Sequence, residues 1–266
     1  MSAPRVSVLM GVRDGAAHVR EAVDSILAQT LADLELIVVD DGSTDGTVAI
    51  LSAVRDPRVR VERRPPEGLT RALNHALGRA RAPLVARLDA DDVARPERLA
   101  RQVAFLARHP DVGVVGSGAD EVDAAGRLLR TVTPPPDDAM IRRALIRANQ
   151  FVHSTIVARR ALLERVGGYD AGMPVAQDYD LWLRLAPLTR FANVPEALVV
   201  RRLLPGRVSA TREDDRLRAE MRARWRAVRR GTYPWWSAAW AARAAIALAA
   251  PRPVRATWRR AARRQP

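Results

Sequence analysis

Residues 5–12, "RVSVLMGV", form a short β-branched and apolar run that predicts a strand. In "HVREAVDSILAQT" (18–30), Val19, Ala22, Val23, Ile26 and Leu27 recur at helical spacing and mark one apolar face. "LELIVVDDGSTDGT" (34–47) then carries Leu36, Ile37, Val38 and Val39 without alternation, as expected of a strand covered on both faces, and ends abruptly in Asp, Gly, Ser and Thr. The pattern continues as a helix (about 46–54), a strand (58–62), a helix (about 68–80) and the strand "APLVARL" (82–88). This alternation predicts an α/β fold with a largely parallel sheet and helices on both faces. Ligands of such folds bind in the crevice beyond the carboxyl ends of the strands.

Two acidic clusters fall at such ends. Asp40 and Asp41 follow the second strand, and "ARLDADDVARPERL" (86–99) sets Asp89, Asp91 and Asp92 after the fourth. A single acid there reads as a turn residue or helix cap, and Asp45, before the helix at Thr47, fits a cap. Three carboxylates within four positions repel one another unless a cation or hydrogen-bond donors compensate. In an extended segment residues i and i+2 point the same way, so Asp89 and Asp91 face one ligand. Mg2+ and Mn2+ favour oxygen donors, and magnesium takes one or two carboxylates together with substrate phosphates. The chain has no "GxxxxGK[ST]" loop and no "GxGxxG" after its first strand, since "MGVRDGAA" lacks it. A P-loop NTPase and a nicotinamide-dependent dehydrogenase are therefore disfavoured, and a nucleotide-sugar becomes the expected diphosphate.

Composition adds limits. The 266 residues are 48% hydrophobic and 28% charged, as in ordinary globular proteins, and contain no Cys. No disulfide framework or thiolate site is available. "MSAPRVSVLMGVRDG" has too short an apolar stretch for a signal peptide, and no apolar run reaches the roughly 20 residues of a membrane span. A cytoplasmic protein is expected, peripheral on the inner face of the cell membrane if it meets a membrane at all. The formal charge is +14, of which residues 212–266 supply +11, with 15 Arg and four acids. Every basic side chain other than His is Arg, a bias that a GC-rich genome also produces.

Three segments carry a family resemblance. "VSVLMGVRDGAAHVREAVDSILAQTLADLELIVVDDGSTDGT", "GLTRALNHALGRARAPLVARLDADDVARPERL" and "HSTIVARRALLERVGGYDAGMPVAQDYDLWLRL" resemble glycosyltransferase family two, with its GT-A fold, over roughly residues 5–205. The pairing of "VVDDGSTDGT" with "LDADD…P…RL" some fifty residues later is the specific signature. The resemblance implies an inverting, metal-dependent transfer of a hexosyl group from a nucleotide-diphosphate sugar to an acceptor hydroxyl, in cell-surface glycan or polysaccharide synthesis. It implies that Asp40 and Asp41 meet the nucleotide base. Asp89 and Asp91 correspond to the DXD motif, as ribose or metal contact and metal ligand, and Asp92 to its added aspartate. The cofactor is then Mg2+ or Mn2+. Val12, Arg71, His153 and Arg202 join the donor-binding set, with Asn74 in the same segment as Arg71. Each also has a plainer reading: Arg71 as a solvated helix-face residue, His153 as a core histidine. Asp178, in "VAQDYDLWLRL" (175–185), corresponds to the catalytic base, which takes the acceptor's proton as the oxygen attacks. Asp180 reads as a charge at a helix start. Gln177 stands where the family has Glu, Leu204 where it often has His, and "GVRDG" lacks a common Asn. No "QxxRW" signature of processive synthesis is present.

The domain reading is a catalytic domain, 1–211, with a nucleotide-binding half (about 1–92) and an acceptor-side half (about 93–211), followed by a basic Trp-rich helical tail, 212–266. In the tail, Leu217, Met221, Trp225 and Val228 form an amphipathic stripe, and five of the six Trp lie there. "WWSAAWAARAAIALAA" (235–250) has one charge in sixteen residues. Two readings stand: helices packed on the body, or peripheral contact with an anionic membrane that brings the enzyme to a glycan or lipid-linked acceptor. No base-reading module points to nucleic acid. The competing functions are a sugar-nucleotide pyrophosphorylase and a non-catalytic basic scaffold.

Overall fold

The computed structural model describes residues 3–204 and 212–249. Strands β1 (Val6–Val12), β2 (Leu34–Asp41), β3 (Val59–Arg64) and β4 (Leu84–Arg87) pair in parallel in the order β3-β2-β1-β4. Helices α1 (Val19–Leu27), α2 (Thr47–Ser52) and α3 (Leu69–Arg79) make the crossovers. The predicted succession holds, with α1 ending three residues earlier than the pattern suggested: the Gln29 side chain leaves the helix register to donate to the Arg95 carbonyl.

Beyond β4 the sheet turns mixed. β4 pairs antiparallel with β8 (Val157–Arg159), β8 antiparallel with β6 (Val112–Val122), and β6 in parallel with the long β9 (Arg190–Arg202). The two-residue β5 (Val93–Ala94) pairs antiparallel with the far end of β9, and β7 (Leu128–Val132) hangs on β6. The chain therefore leaves β4 where a parallel half-sheet meets an antiparallel neighbour, and a cleft opens at that switch.

Two apolar cores lie on opposite faces of the sheet. Leu9, Ile37 and Val39 point into one, and Val8, Met10, Leu36 and Val38 into the other. This two-residue alternation between two cores explains why the stretch Leu36–Val39 of β2 shows no polar positions. The second core is closed by α1, α2 and α4 (Arg98–Arg108). The first is closed by α3, α5 (Asp138–Leu145), α6 (Arg160–Arg165) and α7 (Gln177–Leu185), around the fully buried Trp182.

The described part of the tail continues the first core. α8 (Glu213–Arg229) packs on α7, and α9 (Ala238–Ala249) packs on α8. The buried face of α8 is Ala219, Ala223 and Ala227, not the Leu217–Met221–Trp225–Val228 stripe that the sequence suggested. Alanines permit close helix approach. Close approach also lets Arg224 reach over the α5 terminus, where it donates to the carbonyls of Ile146 at 3.1 Å and Arg147 at 2.9 Å. Trp225 is left 51% exposed, and Trp235 and Trp236, on the 3-10 turn before α9, are 79% and 63% exposed. No helix among the described residues is long and apolar enough to cross a membrane.

Candidate active site

A cleft of about 940 Å³ opens at the carboxyl ends of β1, β2 and β4. Val12, Asp41, Arg71, Asp89, Asp91, Asp92, His153, Asp178 and Arg202 all line it. Of the donor-pocket residues expected from the sequence, Asp40 and Asn74 do not. Successive strand residues point to opposite faces, so while Asp41 faces the cleft, the 1%-exposed Asp40 turns inward, accepts from Ser43 N at 3.2 Å and lies 3.6 Å from Arg63. Asn74 holds the Gly168–Tyr169 turn, donating to Tyr169 O at 2.7 Å and accepting from Tyr169 N at 2.8 Å. A second cavity of about 160 Å³ lies between α7 and α8. Its carboxylate, Asp180, is engaged by Arg184 at 2.7 Å and Arg226 at 3.7 Å, so it offers no free reactive group.

The "DGSTDGT" stretch frames the side of the cleft next to β1 and β2. Asp14, at a left-handed φ of 50°, accepts from Thr44 N at 2.7 Å, while Thr47 Oγ1 accepts from Gly15 N at 2.8 Å. Asp45 accepts from Thr47 N at 2.9 Å within the turn before α2, but the cap position is Gly46 and carries no side-chain cap bond, so Asp45 is not the cap that the sequence suggested. Asp41 accepts from Glu67 N at 2.7 Å and Gly68 N at 2.9 Å, which fixes the entry to α3 and with it Arg71. Gly68 has φ of 94°, a conformation that disfavours any side chain.

Asp89, Asp91 and Asp92 offer carboxylate oxygens that all lie within 4.8 Å of one another. Their surroundings differ. Asp92 is 1% exposed, accepts from Ser154 Oγ and from Arg202 N at 3.0 Å, and is pushed up to about 6 by burial and by the Asp91 charge. Asp89 is bonded by the Arg87 guanidinium and by Ser154 Oγ. The Asp91 carboxylate has no partner among the described residues, while its backbone carbonyl accepts from Arg202 at 2.9 Å. An all-oxygen set with one unengaged carboxylate suits a hard divalent cation such as Mg2+ or Mn2+.

Beneath the aspartates lies a cation that the sequence reading passed over. Arg87, 2% exposed, donates to Ser154 Oγ at 2.9 Å and to Asp89. A second buried guanidinium, Arg98, donates to the Arg87 carbonyl at 2.8 Å, and burial lowers it to about 9. Two interior cations offset part of the acidic cluster, which answers how the fold tolerates it. An arginine inside the apolar run "PLVARL" was the available signal. Ser154, which joins Arg87, Asp89 and Asp92, and Asn149 carried none.

Another side of the cleft is built on α7. Ala176, at the helix start, takes a left-handed φ of 55° and presents Gln177 and Asp178 to the cleft. Asn149 Nδ2 donates to Asp178 Oδ2 at 2.6 Å. Burial raises the Asp178 carboxyl above the usual aspartate range; the Tyr179 N–H, Asn149 and the Arg87 charge draw it back. Burial, assisted by Arg87, takes His153 well below the ordinary histidine value, and burial raises the Tyr169 phenol. His153 Nε2 and Tyr169 Oη lie 2.9 Å apart and share a hydrogen bond.

The comparisons agree with this geometry. The chain is 35% identical over 192 residues to EpsE of Bacillus subtilis, covering 69% of this chain and 67% of that protein. It is 31% identical over 200 residues to the O-antigen biosynthesis glycosyltransferase WbnJ of Escherichia coli, covering 73% and 78%. Among solved structures, the mannosyltransferase PcManGT of Pyrobaculum calidifontis, in complex with GDP-Man and Mn2+, matches with a TM-score of 0.66 and 26% identity over 98% of this chain and 80% of that one. The Glycosyl transferase family 2 model matches residues 7–167, which span β1 through the strands and turns that carry Asp41, Asp89, Asp91 and His153. With the sheet, the aspartate cluster and the matched segment coinciding, the chain belongs to glycosyl transferase family 2.

Proposed function

We propose that the protein moves a sugar from a nucleotide-diphosphate sugar to an acceptor hydroxyl with inversion at the anomeric carbon, in the assembly of a cell-surface glycan. One observation carries the reading: Asp178, with one oxygen held by Asn149, and Asp91, with an unengaged carboxylate, line the same cleft. The acceptor O–H loses its proton to Asp178, the acceptor oxygen bonds to the anomeric carbon, and the bond from that carbon to the diphosphate oxygen breaks. Asp91 and Asp89 would hold Mg2+ or Mn2+, which supplies charge neutralisation at the leaving diphosphate. Asp92, already engaged by Ser154 and Arg202, fixes the shape of the segment. Asp41 and Arg71 border the nucleotide end of the cleft.

Relatives named for O-antigen synthesis and for GDP-Man with Mn2+ support this donor and acceptor class. The test is release of nucleoside diphosphate from UDP-, GDP- and dTDP-sugars, with Mn2+, Mg2+ or EDTA. No release from any donor with either metal rejects the reading.

The acceptor is read as lipid-linked, with the protein resting on an anionic membrane. The support is the +11 charge of residues 212–266 together with the exposed Trp225, Trp235 and Trp236, since Trp favours the headgroup level and Arg attracts anionic lipid.

A further inference from the structure

The described C-terminal helices touch both segments that carry the Asn149–Asp178 bond. α5 ends at Leu145, and the last carbonyls of a helix have no partner inside it. Here two buried side chains take them. Tyr179 Oη donates to the Leu145 carbonyl at 2.8 Å and lies 3.2 Å from that of Ile146. Arg224 donates to the carbonyls of Ile146 and Arg147 and, at 3.1 Å, to Tyr179 Oη. Its remaining partner is Glu220, at 3.0 Å on the same helix. Tyr179 directly follows Asp178, and Asn149 lies just beyond Arg147 and Ala148. One network therefore fixes the backbone on both sides of that bond.

The rest of the tail holds the same two segments. Tyr233 Oη donates to the Arg142 carbonyl of α5 at 3.2 Å, and the Arg147 guanidinium lies 5.2 Å from the ring centre of Trp240 on α9. Arg226 donates to Asp170 at 2.5 Å, on the stretch that leads into α7. Asn149 itself is exposed. Its Oδ1 accepts from Phe151 N at 3.1 Å, which leaves Nδ2 to donate to Asp178. A side chain on an exposed turn keeps one direction only where the turn is fixed from beneath. Tyr179 and the tail residues all lie outside residues 7–167, the stretch that the family model matches.

We infer that Arg224 is a positioning residue for the proposed base: through the end of α5 and through Tyr179 it holds Asn149 against Asp178, so the C-terminal helices complete the site. This rests on the glycosyl-transfer reading above. Arg224 is not among the residues that line the cleft, and it acts only through its neighbours. The charged and titratable groups that face Asp178 are Arg87, from β4, and Tyr169; those that face the Tyr179 hydroxyl, besides Arg224, are Glu220 and Tyr233.

The experiment is titration of the Asp178 carboxyl in the full chain by NMR, with aspartate isotope-labelled at its carboxyl and the Asp178 signal identified as the one lost in Asp178→Asn. It needs neither donor nor acceptor. Loss of a hydrogen-bond donor to the charged form raises the midpoint, so Asn149→Ala should move it up by about one pH unit. Tyr179→Phe, which removes only the hydroxyl, and Arg224→Met should also raise it, with Arg224→Lys between wild type and Arg224→Met. In the Asn149→Ala background none of these should move it further, since the contact they act on is gone. A midpoint left unmoved by Tyr179→Phe and by a folded Arg224→Met, with only Tm lowered, overturns the inference, and Arg224 then serves stability alone. A shift of equal size with and without Asn149 overturns it too. If Arg224→Met does not fold, Tyr179→Phe and Arg224→Lys decide. Release of nucleoside diphosphate from UDP-, GDP- and dTDP-sugars with Mn2+ or Mg2+ is measured on wild type in parallel. No release, with the midpoints moving as expected, fails the transferase reading alone; release with unmoved midpoints fails this inference alone.

Discussion

The amide nitrogen of Asn149 lies 2.6 Å from Oδ2 of Asp178, so a side chain 29 positions away holds one oxygen of this carboxylate. A hydrogen bond to the charged form favours ionisation, against the burial that opposes it. In the proposed reaction Asp178 works ionised as the base, so turnover should be lost as pH falls through its raised value. Asn149→Ala removes a stabilising donor. The acid limb of the kcat profile should therefore move to higher pH, with less than a tenfold loss on the plateau. An unmoved limb with a reduced plateau would show that Asn149 serves packing only.

Asp178→Asn keeps the shape of the side chain and removes its basicity. Turnover should fall by about 10²–10⁴, the range for loss of a general base, with nucleotide affinity retained. If affinity collapses while the saturated protein still turns over, Asp178 is a binding residue.

Asp91→Asn should weaken Mn2+-dependent nucleotide binding and abolish transfer, with the far-UV spectrum and melting temperature preserved. The check is nucleotide titration with and without Mn2+. A variant that binds UDP or GDP as wild type does, with the same metal dependence, removes Asp91 from the ligand set.

Arg224 is 6% exposed and satisfies two carbonyls at the end of α5. Arg224→Ala leaves those acceptors and Glu220 without it. A loss of about 3 kcal/mol is expected, seen as a fall of about 6–12 °C in Tm. An unchanged Tm would mean that α8 adds nothing to the stability of the body.

Trp235 and Trp236 extend into solvent from a 3-10 turn, their rings 6.0 Å apart. Replacing both by Ser should leave Tm unchanged and lower co-sedimentation with vesicles of 30% phosphatidylserine about tenfold or more. Wild-type binding should rise with anionic lipid and fall with salt. Wild type that ignores such vesicles at low salt rejects membrane contact.

The parallel half of the fold was readable because β1, β2 and β4 are buried on both faces and end in abrupt acidic turns. The aspartate cluster was readable for the same reason, and Asp178 through its motif. What stayed hidden depends on contacts distant in sequence. Ser154 meets Asp92 across 62 positions, and Asn149 meets Asp178 across 29. Asp40 and Asp41 looked equivalent as neighbours, yet strand alternation sends them to opposite sides. The tail misled because hydrophobicity was the guide: Leu217, Met221, Trp225 and Val228 form the more apolar stripe, but the alanine face admits the closer packing and the arginine reach that docks α8.

The left-handed backbone at Ala176 has its own consequence. A non-glycine residue in that region is held about 1–2 kcal/mol above a relaxed conformation, and such cost persists only where the surroundings over-determine the chain. Ala176→Gly relieves more than glycine's added freedom in the unfolded chain, about 0.4–1 kcal/mol, takes back, so stability rises slightly. Order does not rise with it: a relaxed hinge lets Gln177 and Asp178 sample more directions. The methyl group of Ala176 thus serves aim rather than endurance, and in the proposed reaction a chain softened at this one position would last longer and strike its substrate less often.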